Sequence, residues 1–264
     1  LVIARILSRF DLADPGLSEA DRAHLLAEAT KAGYRLRDAI VADPDAAPVD
    51  VEGALSEATI DRLASYIDMA RAAPASAYDL PAQRDTVYLT VVDRDRNVCS
   101  FINSIFHPFG SMILCPTTGV LFQNRGLGFS LTPGHPNALA PGKRPMHTII
   151  PGLIMKGERV ETSFGVMGGQ YQAAGHAQFL SRMVDLREDA QQAADAPRSF
   201  AADGTLTLEA THTPQTADDL RRRGHEVVVS PDPMGGCQAI TIDWERGLLI
   251  GASDHRKDGF AAGY

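Results

Sequence analysis

Thr86-Val87-Tyr88-Leu89-Thr90-Val91-Val92-Asp93 is the first stretch of this chain with a two-residue period, and it follows an Ala/Pro-rich run from Ala72 to Arg84. β-Branched and aromatic residues at this density predict a strand. The first residue of that strand bears a hydroxyl, a weak nucleophile that needs a base within hydrogen-bond reach. A cut between Asp85 and Thr86 would supply one, the freed α-amino group of Thr86 itself. Such a group has a reference pKa of about 7.7–8.0, so an appreciable fraction is an unprotonated base at neutral pH. From residue 1 to about 73 the apolar period is 3.6 residues, and past the linker it is mostly two, so a helical segment precedes a strand-rich one.

In the upstream segment Val2, Ile3, Ile6, Leu7 and Phe10 make one apolar face, ended by Asp14-Pro15-Gly16. Ser18, with Glu19 and Asp21 in the first turn, opens a long helix carrying Leu25, Leu26, Ala29, Leu36 and Ile40. After Asp43-Pro44-Asp45, Ser56 caps a third helix with Ile60, Leu63 and Ile67 facing inward. The large apolar faces on 1–73 predict that this chain is not stable alone and needs the polypeptide upstream of it as partner. The chain opens on Leu1, inside a helical pattern, and is expected to be a piece of a longer protein, with any signal peptide out of view.

Downstream, strands are expected near 86–93, 98–105, 111–115, 119–123, 147–155 and 159–166. Gly168-Gly169 then leads into a helix over about 171–184. A strand at 205–209, a helix at 214–223 stopped by Gly224, and strands at 226–230, 237–243 and 248–252 complete the pattern. The Gly/Pro-rich sequence from Asn124 to Pro145 is a long loop, and loops of that length in compact domains are usually functional. Strands and helices in this order predict stacked sheets covered by helices.

A formal charge of −8 and the lack of a long Lys/Arg run oppose binding to phosphate backbones, so nucleic acid is not an expected partner. No apolar run reaches the roughly 18 residues of a membrane span. Cys99, Cys115 and Cys237 lie far apart and cannot all pair. Cys99 and Cys115 read as small apolar strand residues, and unpaired cysteines lean to the cytoplasm, with an exported location left open. His107, His135, His176, His212 and His225 are scattered without metal-ligand spacing, so surface or core packing is the reading for each. Asp254-His255 lacks the G-x-S-x-G elbow of a serine hydrolase. Backbone N–H groups at Gly168-Gly169, between an apolar strand and a helix, could face a developing oxyanion, although a tight turn would use the same glycines.

Taken together these segments resemble the γ-glutamyltranspeptidase family of N-terminal nucleophile hydrolases over the whole chain. Besides the strand from Thr86, the resemblance rests on Phe109-Gly110-Ser111, Gly142-Lys143-Arg144-Pro145, Val166-Met167-Gly168-Gly169, Asp195-Ala196-Pro197-Arg198 and Gly251-Ala252-Ser253-Asp254. Ala27-Glu28-Ala29, Asp43-Pro44-Asp45 and Val51-Glu52-Gly53 are similar to the end of the family's large subunit. It implies an α+β fold, the four-layer αββα sandwich, of which this chain is the C-terminal half. It also implies a precursor that cuts itself between Asp85 and Thr86, leaving 1–85 as the tail of the large subunit and 86–264 as the small subunit. On this resemblance Thr86 is the nucleophile, Ser104 orients it, and Gly168 and Gly169 form the oxyanion hole. The implied reaction is acyl transfer from an amide to water or an amine, with no metal and no organic cofactor expected. The large subunit's carboxylate-binding arginine would lie upstream, and assembly of the two-subunit unit into a higher oligomer is left open.

Departures from the glutathione-cleaving members bear on the substrate. Gly128 aligns where those members carry an acid that holds the substrate's α-amino group, and Arg125 stands near the place of a polar amide, which suggests a pocket for an extra carboxylate. His147-Thr148 replace a serine pair that binds the α-carboxylate; both can still donate hydrogen bonds. The pattern is closer to oxamate amidohydrolase and glutaryl-type acylases, with a small carboxylate-bearing amide as substrate. A true γ-glutamyl hydrolase or transpeptidase, and an inactive homologue that only pairs with the large-subunit segment, are the alternatives.

Overall fold

The computed structural model describes residues 1–74 and 86–263. Asp85, the upstream side of the expected cut, lies outside the described residues. The N-terminal segment folds as α1 (Val2–Leu7), α2 (Glu19–Ile40), a single turn α3 (Val51–Ala54) and α4 (Glu57–Ala64). Ser18 caps α2 in a full capping box with Asp21, and the Ser56 hydroxyl accepts from the Thr59 N–H, so both expected starts are met.

The strand-rich segment begins with the hairpin β1 (Val87–Val92) and β2 (Val98–Asn103). After a long irregular stretch come β3 (Gly152–Lys156) and β4 (Arg159–Met167), then α5 (Gln172–Val184) and α6 (Ala190–Asp195). β5 (Ser199–Ala202), β6 (Thr205–Glu209), α7 (Pro214–Arg222), β7 (Val227–Ser230), β8 (Gly236–Asp243) and β9 (Leu248–Ser253) complete the chain. Three sheets result, ordered β1-β2, β3-β4-β8-β9 and β5-β6-β7.

Strand β4 explains the layering. Its residues Ser163 to Met167 are all buried, because alternate side chains serve two different cores. Phe164 and Val166 face α5 and α6 with Tyr171, Phe179, Cys237 and Ala239, whereas Met167 packs with Tyr88 and Ile102 of the hairpin. Gly165 is part of that second contact: a Cβ there would overlap the Tyr88 ring. The hairpin is also tied to β4 by a hydroxyl, with Thr90 Oγ1 donating to Ser163 Oγ at 2.6 Å, while within the hairpin Tyr88 Oη lies 2.7 Å from Ser100 Oγ. Helices, four-stranded sheet and hairpin thus give three of the four expected layers. On the hairpin's far face Val87, Leu89, Val91 and Phe101 are exposed.

Helices α1, α2 and α4 bury their apolar faces against each other, against Ala177 of α5 and against Phe200 of β5. The apolar faces of 1–73 therefore find their partners inside this chain, and the unpartnered apolar surface lies on the hairpin instead. Residues 111–115 and 119–123 do pair, through the bridge Leu114 to Leu121 and the backbone hydrogen bonds Ser111 N–H to Phe122 O, Phe122 N–H to Ile113 O and Cys115 N–H to Val120 O, but they form no regular strands, and Met112, Ile113 and Leu114 stand exposed. β3 starts at Gly152 rather than 147, just after Pro151, which has no N–H for a ladder. α3, α6 and β5 were not expected from the pattern. Cys99 is a strand residue as expected, exposed on β2, whereas Cys115 opens a turn outside any strand.

Candidate active site

The first described residue after the linker is Thr86, half-buried at the entry of β1. Val87 pairs with Asn103, and one further step in that register sets Thr86 across from Ser104. Strand alternation puts Thr86 on the same face as Tyr88 and Thr90, the face turned to β4. Thr86 shares a cleft of about 360 Å³ with Met167, the last residue of β4. The backbone then turns through Gly168 (φ 133°) and Gly169 (φ 59°) into a 3-10 turn and α5. Both φ values are in the range that glycine adopts without strain, and a Cβ on Gly168 would lie 2.8 Å from Gly235 Cα. Thr86 thus lies across the hairpin from Ser104 and shares a cleft with the end of the strand that leads into the glycine turn.

Arg125 opens a short 3-10 helix, Arg125–Gly128, inside the irregular stretch. Its Nη2 reaches the Ser104 carbonyl oxygen at 3.5 Å, and its guanidinium lies over the Phe106 ring at 5.5 Å. Nη1 is buried and has no hydrogen-bond partner among the described residues. Burial holds the Arg125 pKa below its ordinary value. The His147 imidazole is held below its usual value by burial and then by the Arg125 charge, so it is a neutral donor or acceptor at physiological pH. His147 and Thr148 line a second cavity of about 290 Å³, together with Tyr34, Met146 and Gly169. At Gly128 a Cβ would lie 3.1 Å from the Met146 carbonyl oxygen, so the loop is drawn tight where an acidic side chain would have to stand.

Residues that sequence reasoning passed over hold these loops. Buried Asn137 donates through Nδ2 to the Gly128 carbonyl at 2.6 Å and accepts from the Met146 N–H at 3.0 Å, joining the Arg125 loop to the His147 loop. Asp43 accepts from the Arg144 backbone N–H at 2.9 Å and from its guanidinium at 2.6 Å, which keeps the Asp43 carboxyl far below its usual range. Both residues sit in motifs visible in the sequence, but their pairing spans about a hundred positions. Arg198 and Asp254, from two further motifs, form a buried ion pair, so Asp254 is structural; His255 instead meets Asp195 at 2.9 Å.

His225 is not isolated. It joins His24 and Glu28 in a buried cluster whose ligand-type atoms lie within 4.8 Å of one another. Those atoms already satisfy each other: His24 Nδ1 is 2.7 Å from His225 Nε2, His24 Nε2 is 2.9 Å from the Asp68 carbonyl, and Glu28 accepts from Lys31 Nζ at 2.7 Å and the Ala73 N–H at 3.1 Å. A 2.7 Å N···N separation is a hydrogen bond, and the Lys31 ammonium occupies the place a cation would take beside Glu28. The cluster bonds the N-terminal segment to the strand-rich one. Burial holds His225 down to about 3 and lowers His24 as well. Because the folded state resists protonation, this contribution to stability is complete above the unfolded value near 6.5 and drains away as pH falls from about 6.5 towards 3. The melting temperature is therefore expected to drop more steeply over that window in wild type than in a His225→Gln variant, which calorimetry at successive pH values checks.

The γ-glutamyltranspeptidase family model matches residues 1–264. The chain is 38% identical to the oxamate amidohydrolase proenzyme of Klebsiella pneumoniae, over all of this chain and 51% of that protein. Among solved structures, cephalosporin acylase from Bacillus halodurans superposes with a TM-score of 0.91 at 36% identity, covering 100% of this chain and 49% of that one. γ-Glutamyltranspeptidase from Pseudomonas nitroreducens superposes with a TM-score of 0.62 at 26% identity, over 67% of this chain and 98% of the other. The chain thus spans about half the length of the curated relatives it matches. With the αββ layering, the glycine turn after β4 and a family match over its full length, this chain belongs to the γ-glutamyltranspeptidase family.

Proposed function

We propose that this chain is the C-terminal half of an N-terminal threonine amidohydrolase whose substrate's acyl group carries a carboxylate. The precursor is cut between Asp85 and Thr86, leaving 1–85 with the large subunit and 86–264 as the small one. Thr86 Oγ then attacks the amide carbon while the Thr86 α-amino group takes the hydroxyl proton, and the N–H groups of the Gly168-Gly169 turn stabilise the oxyanion. The C–N bond breaks as the α-ammonium returns that proton to the leaving amine. Water, deprotonated by the same amine, opens the Thr86 ester and releases the carboxylic acid. Ser104, across the hairpin, orients the nucleophile.

The observation that carries the substrate reading is the buried Arg125 Nη1 without an acceptor, beside Ser104 and within electrostatic reach of His147. An unpaired buried donor on a guanidinium is costly, and a planar carboxylate is the acceptor its fork fits. His147 and Thr148 add hydrogen-bonding capacity, while the tight backbone at Gly128 leaves no acid for an α-ammonium group. Names among the relatives, an oxamate amidohydrolase and a cephalosporin acylase, agree with this chemistry. The exposed apolar face of the hairpin suits cover by the polypeptide upstream, the large-subunit partner. The test is hydrolysis of matched glutaryl, oxamate and γ-glutamyl amides by the matured full-length protein. Faster turnover of glutaryl or oxamate compounds is expected; a clear preference for γ-glutamyl compounds would overturn the reading.

A further inference from the structure

The glycine turn has a support of its own. β8 runs antiparallel to β4 with Gly236 opposite Met167, so the residue before it, Gly235 (φ 62°), lies directly against Gly168. A Cβ on Gly168 would sit 2.8 Å from Gly235 Cα, and one on Gly235 would overlap the Met167 carbonyl oxygen and come within 2.8 Å of the Tyr171 ring. No side chain separates the two backbones, so the position of Gly235 sets that of Gly168.

Gly235 is in turn fixed through its neighbour. The Met234 N–H donates to Glu209 Oε1 at 2.8 Å, and the Met234 carbonyl accepts from Arg198 Nη1 at 2.6 Å. Glu209 is buried at the end of β6, and its remaining capacity is taken by Arg256 Nε at 2.7 Å, Arg256 Nη2 at 2.6 Å and the Arg198 backbone N–H at 3.1 Å. One carboxylate thus binds the loop behind the glycine turn and the arginines that surround it. We infer that Glu209 is a positioning residue for the Gly168-Gly169 turn, acting through Met234 and Gly235. The inference rests on the reading of that turn as the oxyanion hole.

A Glu209→Gln substitution keeps the shape but leaves one acceptor oxygen and turns an amide N–H₂ towards cationic partners. In the matured full-length protein, kcat is expected to fall by about 10- to 100-fold with KM within about twofold, because a misplaced oxyanion donor weakens the transition state and not the ground state. Ile60→Val, in the helical core away from the turn, serves as reference: it lowers the melting temperature and leaves kcat unchanged. A Glu209→Gln enzyme with kcat within about twofold of wild type would overturn the inference. If that variant does not fold, Glu209→Asp, which keeps the charge and draws it back, is read by the same criterion. Failure of the underlying reading is seen separately, as a folded Gly168→Ala variant whose kcat stays within about twofold of wild type although its Cβ must displace the turn from Gly235.

Discussion

A Thr86→Ala variant of the full-length protein is expected to remain a single uncut chain and to lose amide hydrolysis by about 10⁴-fold or more, the scale of removing a catalytic nucleophile. The side chain is only half-buried, so the loss of fold stability should be small. Both expected losses come from one hydroxyl, since the group that attacks the substrate would also attack the Asp85 carbonyl in the precursor. Thr86→Ser keeps an oxygen in place and should retain cutting at a reduced rate. Mass spectrometry follows the cut and product release follows hydrolysis. An Ala variant that still turns substrate over would remove Thr86 from the mechanism.

Replacing Arg125 by Ala should cost about 30- to 1,000-fold in kcat/KM on amides whose acyl group bears a carboxylate, equivalent to about 2–4 kcal/mol for a desolvated charge pair. On an acyl group of the same length without the carboxylate, the same variant should match wild type. Arg125→Lys should recover only part of the loss, because an ammonium cannot present the two parallel donors of a guanidinium. Arg125 also packs over Phe106 and reaches the Ser104 carbonyl, and the comparison of the two substrates separates the loss of those contacts from the loss of carboxylate binding. Equal loss on both would assign Arg125 to structure and leave the carboxylate reading without its main support.

Much of the helical half was legible because capping and period are local. Ser18 and Ser56 announce α2 and α4, and Ile60 falls fully buried where the period puts it. The hairpin was legible for the same reason, with alternation carrying Tyr88 and Thr90 inward. What failed was pairing over distance. The apolar runs near Ile113 and Phe122 read as strands, yet they pair through one bridge and a few irregular backbone hydrogen bonds and remain exposed, since the sheet a strand joins is not written in its own residues. β5 and α6 are short and Ala-rich, with too few residues to establish a period.

The site divides in the same way. Its candidate residues came from ordered motifs: the hairpin register sets Thr86 across from Ser104, and Met167, the residue before the glycine turn, lines the same cleft as Thr86. The polar supports were not legible. Asn137 binds two loops, Asp43 holds Arg144 across the chain, and Glu209 reaches Met234, each through contacts that no local pattern encodes. His225 looked solitary because its partner His24 is 201 positions away.

The central claim is that Thr86 becomes an N-terminus, and the intact mass with the N-terminal sequence of the purified full-length protein tests it most directly. The account predicts two chains, one beginning Thr-Val-Tyr-Leu. A single chain that runs uncut through Asp85-Thr86 in a preparation that hydrolyses amides would contradict it.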